Sequence, residues 1–211
     1  MLCMSPAHRI ASVEIHDDGF ALVLASGRRL CDGWAPRLAK ATRAEREAFV
    51  ILDEGTSLHW PALFPEGGRP HVSVHTLLWE ERMNDALARL AAAGHDLSKL
   101  EDDDRDVVVL FRLEADVNNG GFMQFLCNWG DDTVQRSLRV LEALGASRMH
   151  AIVREMRGIL DRLEDDPRIT QLWDLYGVMT AEEHARMGEL DRAFWAYPDD
   201  LPRLAAERYA V

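Results

Sequence analysis

The chain has 211 residues, 47% hydrophobic and 28% charged, enough for one large domain or two small ones at roughly 100–200 residues per domain. Acidic residues outnumber basic ones by 36 to 24, and the formal net charge of −12 argues against a protein that grips phosphate backbones over a wide surface. No apolar run approaches the roughly 20 residues of a membrane span, the start lacks the basic-then-apolar order of a signal peptide, and the three cysteines (Cys3, Cys31, Cys127) match neither a zinc spacing nor a disulfide framework, so a cytoplasmic protein without metal or cofactor is expected.

In chain order, the segments His8 to Ile15, Phe20 to Ala25 and Arg28 to Trp34 are rich in Val, Ile, Phe and Leu. They are separated by Asp17-Asp18-Gly19 and Ser26-Gly27, which predicts a three-stranded antiparallel meander. Thr42-Arg-Ala-Glu45 has capping-box spacing and predicts a short helix to about Leu52, stopped by Gly55. Ser57 to Trp60 reads as one more short strand ended by Pro61, and Pro65 to Pro70, with Gly67 and Gly68, reads as a linker or long loop. Up to His75 there are 9 acidic and 8 basic residues. From Thr76 onward there are 27 and 16, a net of −11, and the periodicity becomes helical at the same place.

Thr76 to Ala93 predicts a helix stopped by Gly94. A second should begin near Asp103, carry Val107, Val108, Leu110, Phe111 and Leu113, and break at Asn118-Asn119-Gly120-Gly121. A short helix from Phe122 to Trp129 follows, then one through Val134, Leu138, Leu141 and Leu144 up to Gly145. Ser147 is expected to cap a further helix, whose stripe of Met149, Ile152, Val153, Met156, Ile159, Leu160 and Leu163 lies on one face. Pro167 is expected to start a helix ending near Gly177. Thr180-Ala-Glu-Glu183 is a second capping box, heading a helix that Pro198 ends, and Leu201 to Tyr209 predicts a terminal helix. The expected class is α+β with two domains: residues 1–70, a small β-meander plus helix, and residues 76–211, all-α and acidic.

The stretch Glu114-Ala-Asp-Val-Asn-Asn-Gly-Gly-Phe-Met-Gln-Phe-Leu-Cys-Asn128 is the most informative. Adjacent Gly120 and Gly121 permit backbone angles closed to other residues, and Asn118 and Asn119 tolerate left-handed geometry, so the chain can turn sharply between helices. Gln124 and Asn128, four apart, share a helix face, while Phe122, Phe125 and Trp129 are expected to anchor it. The same amides fit either a structural helix corner or a recognition pocket. This series, followed by Leu141-Glu-Ala-Leu-Gly-Ala146, Leu190-Asp-Arg-Ala-Phe and Asp199-Asp200-Leu201 up to Tyr209, resembles the helical domain of bacterial DNA-mimic proteins. The resemblance runs from about Thr76 to Val211. It implies an all-α domain whose acidic side chains imitate duplex DNA and engage a basic DNA-binding or nucleic-acid-binding protein. Gly55-Thr-Ser-Leu-His-Trp-Pro61 and the preceding meander are similar to a small bacterial β-rich domain family of unknown function.

Duplex DNA carries one charge per about 3.4 Å along each strand, and carboxylates three or four apart on a helix have Cβ atoms about 5–6 Å apart. The expected partner-binding residues are Glu101, Asp102, Asp103, Asp104, Asp106, Asp131, Asp132, Glu164, Asp165, Asp166, Asp199 and Asp200, with Glu182 and Glu183 as further carboxylates. Many of these fall at predicted helix N-termini, where each contributes about 0.3–1 kcal/mol through the helix dipole without any partner. Arg136, Arg139, Arg148, Arg154, Arg157 and Arg162 also interrupt any acidic surface.

Catalytic patterns are weaker. His71 and His75 are four apart but lack a third ligand nearby, Cys127 sits among apolar residues, and no phosphate loop or nucleophile elbow occurs. The expectation is therefore non-enzymatic protein binding, without direct nucleic-acid or membrane contact, and with the oligomeric state open. The alternatives are a charge-insensitive scaffold or antitoxin-like interaction module, and an enzyme with an inter-domain pocket involving His59, Gln124 and Asn128.

Overall fold

The computed structural model describes residues 6–65 and 72–210. Cys3, His71 and all but the first residue of the Pro65–Pro70 stretch lie outside the described residues. Two compact units are present, Met1–Glu81 with Ala210–Val211 and Arg82–Tyr209. The first holds two small sheets and the second is helical, an α+β architecture.

In the first unit, β1 (Ile10–Ile15), β2 (Gly19–Leu24) and β3 (Arg29–Gly33) form an antiparallel meander in that order. Ile15 faces Phe20 across the Asp17-Asp18 turn, and Leu22 pairs with Val13 on one side and Leu30 on the other. As the central strand, β2 buries Phe20, Ala21, Leu22 and Leu24 together, so it reads as a continuous apolar run rather than an alternating one. Short helices α1 (Pro36–Ala39) and α2 (Arg43–Glu47) follow, and Thr42 and Glu45 form the expected reciprocal cap.

The helix does not continue to Leu52 as the capping box predicts. The indole Nε1 of buried Trp60 donates to the Arg46 carbonyl at 2.8 Å, occupying the acceptor that a continuing helix would offer to Val50. Val50 and Ile51 are β-branched and gain by extending. Residues Val50–Leu52 instead form β4, antiparallel to β5 (Ser57–His59), which β6 (Val72–Ser73) completes into a second sheet.

The unit boundary falls inside α3 (Val74–Ala92). In the second unit, α4 (Asp102–Leu144) is a bent element rather than a rod. Non-helical angles at Gly120 and Gly121 (φ +81°, ψ −179°) and at Gly130 (φ +76°, ψ 172°) divide it into arms 102–119, 122–129 and 131–144, the first break falling at the expected Gly120-Gly121 pair. Beyond it lie α5 (Ser147–Ile159), a 3-10 turn at Asp161–Leu163, α6 (Leu175–Val178), α7 (Ala181–Trp195) and α8 (Leu201–Tyr209). The arms of α4 pack on α5, α7 and α8. The core they share includes Leu110, Leu113, Phe122, Phe125, Met149, Val153, Met156 and Phe194, and full burial of each large side chain is worth about 1.5–3 kcal/mol.

Pro167 does not start a helix. Asp166 accepts from the Arg168 amide at 2.9 Å and Asp174 from the amides of Thr170 and Gln171, so these donors are taken by carboxylates in a turn. Helical structure resumes only at Leu172–Asp174, a 3-10 turn leading into α6.

Candidate functional site

The Asn-Gly-Gly corner is a closed network of polar contacts. Asp116, in the first arm of α4, accepts from Gln124 Nε2 at 3.0 Å, Asn128 Nδ2 at 3.1 Å and Trp129 Nε1 at 2.5 Å, all in the second arm. The Arg112 guanidinium lies 3.6 Å from the centroid of the Trp129 ring. Asn119 donates to Gln124 Oε1 at 3.2 Å, Asn118 to the Tyr197 hydroxyl at 2.6 Å, and the Trp195 indole to the Val117 carbonyl at 2.8 Å.

The two glycines have separate reasons. A Cβ on Gly120 would lie 2.1 Å from Gln124 Oε1, and one on Gly121 would lie 2.6 Å from Asp191 Oδ2. That approach lets the Asp191 carboxylate accept from the Phe122 amide at 2.9 Å, capping the second arm from α7. Burial pushes the Asp191 carboxyl up, and the Phe122 amide opposes the rise. Phe122 and Phe125 are fully buried, with Phe122 edge-on to Phe194 at 5.4 Å. The amides of Gln124 and Asn128 are thus spent inside the corner. Asp116, Arg112 and Asp191, which hold it together, are absent from the sequence-derived set. Asp116 sits within the informative stretch, but its partners lie across a bend, and Asp191 is 69 residues from Phe122.

The carboxylates divide into two groups. Asp104 is buried at 7% side-chain exposure, between Arg82 at 2.6 Å and Arg89 at 2.7 Å. Asp106 meets Arg136 at 2.6 Å and the Tyr209 hydroxyl at 3.2 Å, and Asp131 pairs closely with Arg157. Asp166 is held to about 2 by Arg168, through its side chain first and its amide second. Asp199 accepts from the amides of Arg148 and Met149, both at 2.8 Å, and so caps α5 in place of Ser147, which lies within the helix as its first residue and makes no cap. Glu183 bridges Arg162 and the Thr180 cap and is likewise held to about 2. Asp102 (Arg105, Arg136), Asp103 (Arg208) and Asp200 (Arg203) make looser ion pairs while staying 56–78% exposed. Glu101, Asp132, Glu164, Asp165 and Glu182 are exposed and make no side-chain hydrogen bond or ion pair with another described residue.

A cavity of about 260 Å³ is lined by Arg105, Arg136 and Arg139 with Asp132, Val109 and Leu97. Two of its guanidiniums are engaged, Arg105 by Asp102 and Arg136 by Asp102 and Asp106. Elsewhere, His75 and His59 are buried at the start of α3 and in β5, and burial raises the Cys127 thiol. Among the described residues, no group of three or more His, Cys, Asp or Glu side chains is placed to hold a metal ion, and no helix is long and apolar enough to cross a membrane.

The second unit is therefore an acidic helical bundle whose inner carboxylates are committed to arginines and helix ends, leaving a smaller exposed set free. The chain belongs to the DMP19-like protein family, which matches residues 98–211 and so covers α4 through α8. That family is one of DNA mimics. The match does not extend to the β-rich part before it. No curated protein and no solved structure matches the chain.

Proposed function

We propose that this protein is a DNA mimic that occupies the DNA-binding site of a basic regulator and thereby acts in transcription regulation without catalysing a reaction. The observation that carries the reading is the set of exposed carboxylates left without internal partners inside the family-matched region, which includes Glu101, Asp132, Glu142, Glu164, Asp165 and Glu182. Asp102 and Asp103 extend it, because ion pairs between exposed side chains are worth only about 0–1 kcal/mol and an incoming cation can displace them. Asp104, Asp106 and Asp131 serve the fold instead. A DNA-binding groove meets such a surface with Lys and Arg, so the complex weakens steeply as salt rises.

The test is capture from native lysate on the immobilised full chain at about 50 mM and about 500 mM salt, with duplex DNA as competitor. The expected result is a DNA-binding protein retained at low salt, released at high salt and displaced by the duplex. The variant E101Q/D132N/E164Q/D165N/E182Q should retain less of it. Retention indifferent to both salt and duplex DNA refutes mimicry in favour of a charge-insensitive interaction module.

A further inference from the structure

The segment after Asp166 buries one face and exposes the other in an unusual way. Leu175 and Met179 point into the core at 6% and 8% exposure, whereas Leu172, Trp173 and Tyr176 stand 36%, 53% and 57% exposed. Positions 172 and 176 are four apart and 173 and 176 three apart, which places all three on one side of the turn. Trp and Tyr are enriched at the energetic centres of interfaces, so a grouped exposed pair is a surface with a use.

The surroundings specify the occupant. Between Asp161 and Glu183 the net charge is −5. The two arginines in that stretch are already held, Arg162 by Glu183 and Arg168 by Asp166, which leaves Glu164, Asp165 and Glu182 free. The two ends of this stretch are tied together: Arg162 reaches both the Glu183 carboxylate and the Val178 carbonyl, and the Tyr176 ring packs on His184 at 4.9 Å, while Glu164 and Asp165 follow Arg162 closely in the chain and Glu182 directly precedes Glu183. A second copy of this acidic chain would bring like charges together there. A guanidinium answers both features, because it stacks on aromatic faces and forks onto carboxylates, while an ammonium does neither as well. The protein already builds this arrangement internally, with Arg112 stacked on Trp129 and the indole bonded to Asp116.

We infer that the face of Leu172, Trp173 and Tyr176, set in the acidic stretch that carries Glu164, Asp165 and Glu182, docks an arginine-rich segment of the partner, an inference that rests on the mimicry reading and locates its contact. The test is fluorescence anisotropy of labelled nona-arginine and nona-lysine peptides with the full chain at low salt. W173A/Y176A, at exposed positions, should keep its circular dichroism spectrum yet bind nona-arginine about tenfold more weakly and nona-lysine less than about threefold. E164Q/D165N/E182Q should weaken both peptides and flatten their salt dependence, while E101Q/D132N, outside the 161–183 stretch, should stay within about twofold of wild type. Binding of nona-arginine by W173A/Y176A within about twofold of wild type overturns the inference. If the wild-type chain ignores nona-arginine yet still captures a salt-labile, DNA-displaceable partner, the docking face alone is wrong. If it captures no such partner, the mimicry reading falls as well.

Discussion

Replacing Gly121 with alanine tests the corner on which the helical unit turns. At φ +81° and ψ −179°, Gly121 occupies a backbone region that is nearly exclusive to glycine, and a side chain there costs roughly 1–3 kcal/mol. Gly130, at φ +76° and ψ 172°, sits in the same region with nothing within 4 Å of an added Cβ, so Gly130→Ala incurs only that cost. At Gly121 the new methyl would meet Asp191 at 2.6 Å from Oδ2 and 2.9 Å from Cγ. The half-buried carboxylate must then swing away from the Phe122 amide, leaving a buried donor unsatisfied at a further cost of about 1–3 kcal/mol. Gly121→Ala should therefore destabilise by roughly 2–6 kcal/mol in all, exceeding Gly130→Ala by about 1–3 kcal/mol. Urea unfolding followed by far-UV circular dichroism measures both. Asp191→Ala should reproduce the second part alone, and combining it with Gly121→Ala should be less than additive. Equal destabilisation by the two glycine variants would refute the role given to Asp191.

Other expectations concern the committed carboxylates. Asp104→Ala strands Arg82 and Arg89 beside a buried site and should cost about 3–5 kcal/mol in urea unfolding, with no change in the salt dependence of partner capture. Asp199→Ala removes the acceptor from two amides of α5 and should cost about 1 kcal/mol, read as a lower thermal midpoint. Glu183 is held from 4.5 down to about 2, by Arg162 first and the Thr180 amide second. Its folded pKa lies below its unfolded one, so its stabilisation is complete above pH 4.5 and is lost as pH falls toward about 2. Glu183→Gln should flatten that part of the acid-unfolding curve.

Features with local causes were legible in the sequence. Asp17-Asp18-Gly19 and Ser26-Gly27 mark the meander turns, Thr42 and Thr180 cap the helices they were expected to cap, and Gly120 and Gly121 interrupt α4. Each rests on contacts within a few residues, or on angles that one residue type alone tolerates. Where the reading failed, a side chain had claimed a backbone group that the expected helix needed. The helix after Thr42 is cut short because the Trp60 indole takes the Arg46 carbonyl, and Pro167 opens no helix because Asp166 and Asp174 claim the amides around it.

The amino-acid order alone determined an acidic helical half, its bends, and a surplus of carboxylates over arginines. Tertiary structure decided which carboxylates remain available. Asp104, Asp131 and Asp199 look no different in sequence from Asp132 or Asp165, yet the first three are taken by Arg82, Arg157 and the start of α5. A charge is committed or free according to the cation or amide that folding brings within hydrogen-bonding distance, and those partners come from helices far apart along the chain.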